Sequence, residues 1–339
     1  MNTTKYFFRL TALTSISHSN KKAGTTELFN TETVIRENGD AVQVPYITGN
    51  AMKGILRRLG FEIMLSKLGL DPEMTDPVSD ETFGILTKNR LEVLFNGSIL
   101  TSDTSRGIDV EAGAQLSNLI PWFGIVGGCL GNQMTKSRWC VHDAILICDE
   151  NKGRIKMMAE SEGDSLDIFG DVAIIPARRL LQREDFSHKD DFRGGSVLRY
   201  LPEPERIKLI AGQASDFSER TLMDWKDKDA GQHTQMRYTV QTLCAMSKLY
   251  WRIDTHDLTP LMEDAFLTTM AHFMSRPYIG GKQNRGKGMI AIECLGRNKI
   301  SPATGKFETA VGFQVGQMYM THLEKNREAI IKAVEAIAK

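Results

Sequence analysis

The first apolar pattern runs from Lys5 to Thr14, where aromatic and β-branched residues alternate with polar ones and predict a strand. A polar stretch, Ser15 to Thr26, follows as a loop. Leu28 to Val44 reads as a strand, a turn at Glu37-Asn38-Gly39-Asp40 and a returning strand, since Asn and Gly both tolerate positive φ. Val44-Pro45-Tyr46-Ile47-Thr48-Gly49-Asn50 then opens into a helix ending near Leu68, with Thr48 or Asn50 as its cap. Ile55, Leu59, Met64 and Leu68 recur along it at helical spacing. Leu119 to Gly131 is glycine-rich and apolar, and Ser137 to Cys148 predicts one buried strand. Gly163 to Met236 is polar, charged and irregular, the pattern of an insertion protruding from the core. Strand character returns from Arg237 to Ile253, broken near Ala245-Met246-Ser247. Thr259 to Arg276 predicts a helix with Leu261, Phe266 and Met270 inward. Met289 to Cys294 is a last strand, and Leu323 to Lys339 a short amphipathic helix. This order suits an α+β fold, with a modified ferredoxin-like or RNA-recognition core carrying large insertions.

The length, 339 residues, suggests two domain-sized units or one domain with large insertions. With 41% hydrophobic and 25% charged residues the composition is globular, which excludes disorder, collagen and coiled coil as the main architecture. No stretch of about 18 apolar residues is present, so no membrane partner is expected. The first residues lack a basic segment followed by an apolar run, so no secretion signal is expected. The cysteines are Cys129, Cys140, Cys148, Cys244 and Cys294, an odd number without a C-x-x-C pair. That argues against a disulfide framework or structural zinc and for a reducing, cytoplasmic compartment. Basic and acidic residues balance at 42 each, which excludes a uniformly basic binder but leaves room for a basic stripe.

Two segments combine glycine with cations. Around Thr48 to Arg58 a strand passes through a glycine turn into a helix start, where free amides and the positive dipole end make an anion site. Asn50, Lys53, Arg57 and Arg58 lie there with no acid among them, and Lys53 and Arg57 are four apart. A solvated helix face is the other reading. Gly280 to Gly288 holds Gly281, Lys282, Asn284, Arg285 and Lys287; its glycines let backbone approach a polyanion and its cations neutralise phosphates. It fits part of a phosphate-binding loop, but Gly288 replaces the Ser or Thr that would hold magnesium. It also follows a helix rather than a strand, so nucleotide hydrolysis is not expected. A plain connecting loop is the alternative. Ser17, His18, Ser19 and Asn20, just past the first strand, either contact RNA sugar and phosphate or form a plain loop. Arg178, Arg179, Arg183, Arg193 and Arg199 are interleaved with acids; they are a solvated surface, or a hairpin gripping a nucleic-acid strand or a neighbouring subunit. His142-Asp143 and His256-Asp257 do not form a metal-ligand array, and His142 in a strand pattern reads as a packed or hydrogen-bonded histidine. Neither a catalytic residue nor a metal or other cofactor is expected.

Four places in order carry a resemblance: the first strand with Ser17-His18, Val44 to Arg58, Phe123 to Asp143, and Gly280 to Gly288. Arg237 to Tyr278, with Tyr250-Trp251-Arg252-Ile253-Asp254, adds to it. Together they resemble the RAMP superfamily of CRISPR-associated proteins, and more narrowly the backbone subunit of type IV effector complexes, a Csf-type member of the Cas-seven family. The resemblance implies a palm built of residues 1–69, 137–162 and 237–300, a finger-like insertion at 70–136, a thumb-like insertion at 163–236 and a C-terminal tail at 301–339. It implies a subunit that stacks head-to-tail with its own copies along guide RNA, holding the sugar-phosphate backbone while the bases pair with target DNA. Implied partners are a guide-end-capping subunit, a large subunit, a guide-processing endonuclease and a DinG-type helicase. Type III relatives cut target RNA with an aspartate in the loop after the first strand. Here Ser15 to Thr26 contains no acid, and the nearest are Glu27 and Glu32, so no ribonuclease activity is expected. Glu32 or Asp40 is the residue that could substitute.

Overall fold

The aromatic run Tyr6-Phe7-Phe8 sits wholly buried in the first strand, because the sheet it joins is covered on both faces. The computed structural model describes residues 2–24, 26–36, 38–70, 88–97, 110–130, 133–161, 166–170, 173–187, 237–300, 305–308 and 311–336. Strands β1 (Thr3–Ala12), β2 (Ser19–Ala23), β3 (Thr26–Phe29), β4 (Thr31–Ile35) and β5 (Ala41–Ile47) precede helix α1 (Gly49–Lys67). Helices α2 (Val110–Leu119) and α3 (Pro121–Val126) lead to short strands β6 (Cys129–Leu130), β7 (Gln133–Met134), β8 (Trp139–Val141) and β9 (Ala144–Leu146), then α4 (Lys152–Glu160). After them come β10 (Leu181–Ser187), β11 (Arg237–Leu243), β12 (Lys248–His256), α5 (Pro260–Ser275), β13 (Ile290–Ile300), β14 (Gly305–Glu308), α6 (Gln317–Lys325) and α7 (Arg327–Ala336).

The chain divides into two compact units. The larger comprises residues 1–20, 29–182 and 242–339. Its sheet runs β14-β13-β1-β12-β9-β5-β4, with β8 also paired to β12. Taken as β1-α1-β9-β12-α5-β13, the centre is a ferredoxin-like βαββαβ core whose fourth, first, third and second strands lie in that order, each antiparallel to its neighbour. Alternation along β1 and β12 builds two cores. Tyr6 and Phe8 meet Phe266 and Trp251 at ring-centroid distances of 5.0 and 5.1 Å, and Trp251 meets Phe273 of α5 at 6.3 Å. On the other face Phe7 and Tyr250 pack with Ile145, Ile155 of α4 and Ile168. Helix α1 presses against α3 at Gly60, where a Cβ would lie 2.1 Å from the Trp122 ring.

The smaller unit comprises residues 21–28 and 183–241. Its strands belong to a sheet ordered β10-β11-β3-β2, with β11 parallel to β3 and Thr239 opposite Thr26. Most of the expected insertion, residues 188–236 with Arg193 and Arg199, lies outside the described residues.

Four expectations change. Ser15 to Thr26 is not a plain loop: its middle is β2, and Ile16 and Ser17 form bridges to Leu243 and Gly281. Ser137 to Cys148 is two short strands, interrupted where Asp143 turns to a helix terminus described below. The strand begun by Met289 continues to Ile300 past a bulge opposite Phe7 and Phe8, and β14 lies beyond it. The C-terminal helix is a pair, divided at Asn326, whose Nδ2 donates to the His322 carbonyl (3.0 Å). The break near Met246 is present between β11 and β12, and the Asn38-Gly39 turn is present with Gly39 at φ 86.

Candidate nucleic-acid interface

The glycine loop is built onto the segment leaving β1. Gly281 N donates to Ser17 O (2.7 Å), and Gly288 N donates to Ser15 O (2.9 Å). A Cβ at Gly280 would lie 2.4 Å from Ser17 O, and one at Gly288 only 2.0 Å from Ile279 O, so this close passage of backbone requires glycine. Lys287 Nζ donates to Ser15 Oγ (2.8 Å). Gln283, Asn284 and Arg285 form a single exposed turn, preceded by Lys282 in left-handed backbone at φ 60.

One residue further on, His18 reaches the start of α1. Its Nε2 accepts from the Thr48 amide (3.2 Å), while its carbonyl accepts from Asn30 N (2.8 Å). Burial pushes the imidazole pKa down, against the opposing charge of Asp143. Two hydrogen bonds, one at His18 and one at its chain neighbour Ser17, therefore tie this segment to the α1 cap and to the glycine loop. Ser17 is buried, Ser19 is exposed, and Asn20 is a backbone member of β2.

At the α1 terminus the expected anion site is already filled. Thr48 Oγ1 accepts from Ala51 N (3.3 Å), and the Asp143 carboxylate accepts from Gly49 N (2.6 Å). Asn50 and Arg58 are exposed. Lys53 is half-buried with Nζ 5.9 Å from the Trp139 ring centroid. Burial lowers its pKa, and the nearby Arg57 charge adds to that. Arg57 itself is a correction. It is 8% exposed, its Nε donates to Leu94 O (2.9 Å), and its Nη2 donates to Gly127 O. Burial pulls its pKa down to about 10. It is an internal clamp, not a surface cation for RNA. The signal was in the sequence: Gly60, Phe61 and Met64 lie three, four and seven residues on, which puts Arg57 on the apolar stripe.

His142 is a hydrogen-bonded histidine. Asp254 Oδ2 accepts from its Nε2 (3.0 Å) and from Arg252 Nη2 (3.0 Å). Burial would raise the Asp254 pKa, but the His142 bond and the Arg252 charge outweigh it and hold the carboxyl below the usual range. His256 and Asp257 are used locally, by Thr3 Oγ1 (3.1 Å) and the Asn2 amide (2.7 Å). The five cysteines are free. Among the described residues no group of three or more His, Cys, Asp or Glu side chains could hold a metal ion, and no helix is long and apolar enough to cross a membrane.

No protein-family profile and no curated protein matches the sequence. Among solved structures, a chain titled "Type IV-B CRISPR Complex" superposes at TM-score 0.52 and 15% identity, covering 91% of this chain and 96% of that one. The two share a fold. A crystal structure of Thermofilum pendens Csc2 superposes at TM-score 0.38 and 13% identity, covering 100% of this chain and 81% of that one.

Proposed function

We propose that this chain is a non-catalytic subunit that coats guide RNA in a CRISPR ribonucleoprotein of the type IV kind. It holds the sugar-phosphate backbone and leaves the bases to pair with target DNA. The observation that carries this reading is the hydrogen-bonded run joining the α1 cap, Ser17-His18 and the glycine loop. It ties three separate stretches of sequence together, and we read them as one RNA-facing surface on a fold shared with a chain of a type IV-B complex. Lys53, Lys282 and Arg285 supply the charge there, and polyanion affinity rises with the number of phosphates so neutralised. Copies of the chain stack head-to-tail, and the guide sets the number of copies.

The reading is tested by co-expression with a guide RNA. The purified protein should carry nucleic acid, seen as a raised ratio of absorbance at 260 to 280 nm, in a large assembly. The combined variant Lys53→Gln, Lys282→Asn, Arg285→Gln should lose the RNA while keeping its circular dichroism and urea midpoint. Each of the three single variants should retain weakened binding and lower the slope of log affinity against log salt by about one. Unchanged RNA retention in the combined variant would overturn the assignment. The assembled complex, incubated with complementary RNA and magnesium, should leave it intact; regularly spaced cuts would establish type III-like cleavage instead.

A further inference from the structure

The turn between β11 and β12, Cys244-Ala245-Met246-Ser247, holds Met246 at φ 64. Left-handed backbone suits glycine or asparagine and strains a methionine. The Met246 side chain is nevertheless 67% exposed, so packing does not account for the choice of residue. Leu13 adjoins it through Ala12. Thr11 pairs with Lys248, but Ala12 N donates to Ser247 O (2.9 Å) and Met246 N donates to Ala12 O (2.6 Å), so Met246 and Ser247 both stand against Ala12, in a bulge whose first residue is the left-handed Met246. Leu13 is 44% exposed.

This apolar corner is tied to the cationic loop. Leu13 N and Thr14 N both donate to Met289 O (2.8 and 3.2 Å), and Met289 N donates to Thr14 Oγ1 (3.0 Å). The next residue, Ser15, accepts from Gly288 N and Lys287 Nζ. Leu13 is therefore hydrogen-bonded to Met289, two residues from Lys287, and Met246 is hydrogen-bonded to its neighbour Ala12, with Arg285 and Lys282 beyond Lys287. We propose that Leu13 and Met246 form an apolar step against which one unstacked nucleobase of a bound single strand rests, while its phosphates follow the glycine loop. Leucine and methionine are side chains that contact base faces this way, and the cations alongside favour a polyanion as occupant. The step rests on the RNA-coating reading and adds to it a site for a base.

The test uses the full chain co-expressed with guide RNA. Met246→Asn suits the left-handed turn and spares folding; it is combined with Leu13→Ser. RNA affinity should fall about five- to tenfold, the low end of one lost base contact. The slope of log affinity against log salt should not change, because no cation is removed. A guide carrying 2-aminopurine should report a base with altered stacking when bound by the native chain and lose that report with the double variant. Equal affinity and equal fluorescence in both proteins would overturn the step and leave RNA coating intact. A reduced salt slope would make the corner a phosphate contact, and lost assembly at unchanged affinity would make it a contact between copies; either overturns it. A native chain that retains no RNA would overturn the coating reading and the step together.

Discussion

Arg57 and His18 are polar residues whose polar atoms are directed inward, and their substitution should separate folding from binding. Removing the Arg57 guanidinium strands the Leu94 and Gly127 carbonyls, and a buried acceptor left without a donor costs about 1–3 kcal/mol. Arg57→Ala should therefore destabilise the protein by about 2–4 kcal/mol in urea unfolding, while the folded fraction binds RNA as before. For His18 the effect depends on pH. Its folded pKa lies below the ordinary value of about 6.5, so between the two values the unfolded chain holds more protons. The stability it supports is fully present above about pH 6.5 and is lost as acid takes the solution down through the lowered folded pKa. His18→Gln keeps an acceptor for the Thr48 amide without a titrating group. Its urea midpoint should fall less between about pH 7.5 and pH 5 than that of the native chain; equal falls would rule out His18 as the titrating group.

The glycine loop lets an element be dissected one position at a time. Gly286 and Gly288 have similar positive φ, 74 and 83, but a Cβ meets nothing within 4 Å at Gly286 and the Ile279 carbonyl at 2.0 Å at Gly288. Gly286→Ala should cost about 1–2 kcal/mol, the strain of left-handed backbone alone. Gly288→Ala should cost about 2–4 kcal/mol, since a carbonyl must also move. Equal thermal shifts would refute the close passage. Much of this level was legible in the sequence. Thr48, one of the two expected residues, caps α1, the helix expected from Thr259 follows that residue directly, and Asn38-Gly39 turns as its residues require. What escaped was non-local. The division of Ser137 to Cys148 depends on Asp143 meeting an amide 94 residues away. The strand hidden in Ser19–Ala23 has no alternation of its own and exists through pairing with β3. Arg57 resembled a surface cation because its charge was read before its place on the apolar stripe.

For the molecule as a whole, the βαββαβ order was readable because β1, α1, β12, α5 and β13 are long and strongly patterned, whereas the insertions between them are not. The coating function predicts that doubling the guide length doubles the protein mass bound to it, measured by light scattering; a fixed number of chains on every guide would count against it. A net charge of zero fits the proposed surface, which would attract RNA in one place and another copy elsewhere. The buried clamp carries a last implication. Arg57 bridges the Leu94 and Gly127 carbonyls, and Cys129 N donates to Gly97 O (2.8 Å), so the stretch from residue 97 to residue 127 starts and finishes at a single fastening point. Each doubling of a loop's length costs only about 0.6 kcal/mol in closure entropy. Closure is thus the lesser cost of changing that stretch: its Ile120, Trp122, Phe123 and Ile125 are buried in the core, so exchanging it would remove packing that a tag or a foreign peptide could not replace.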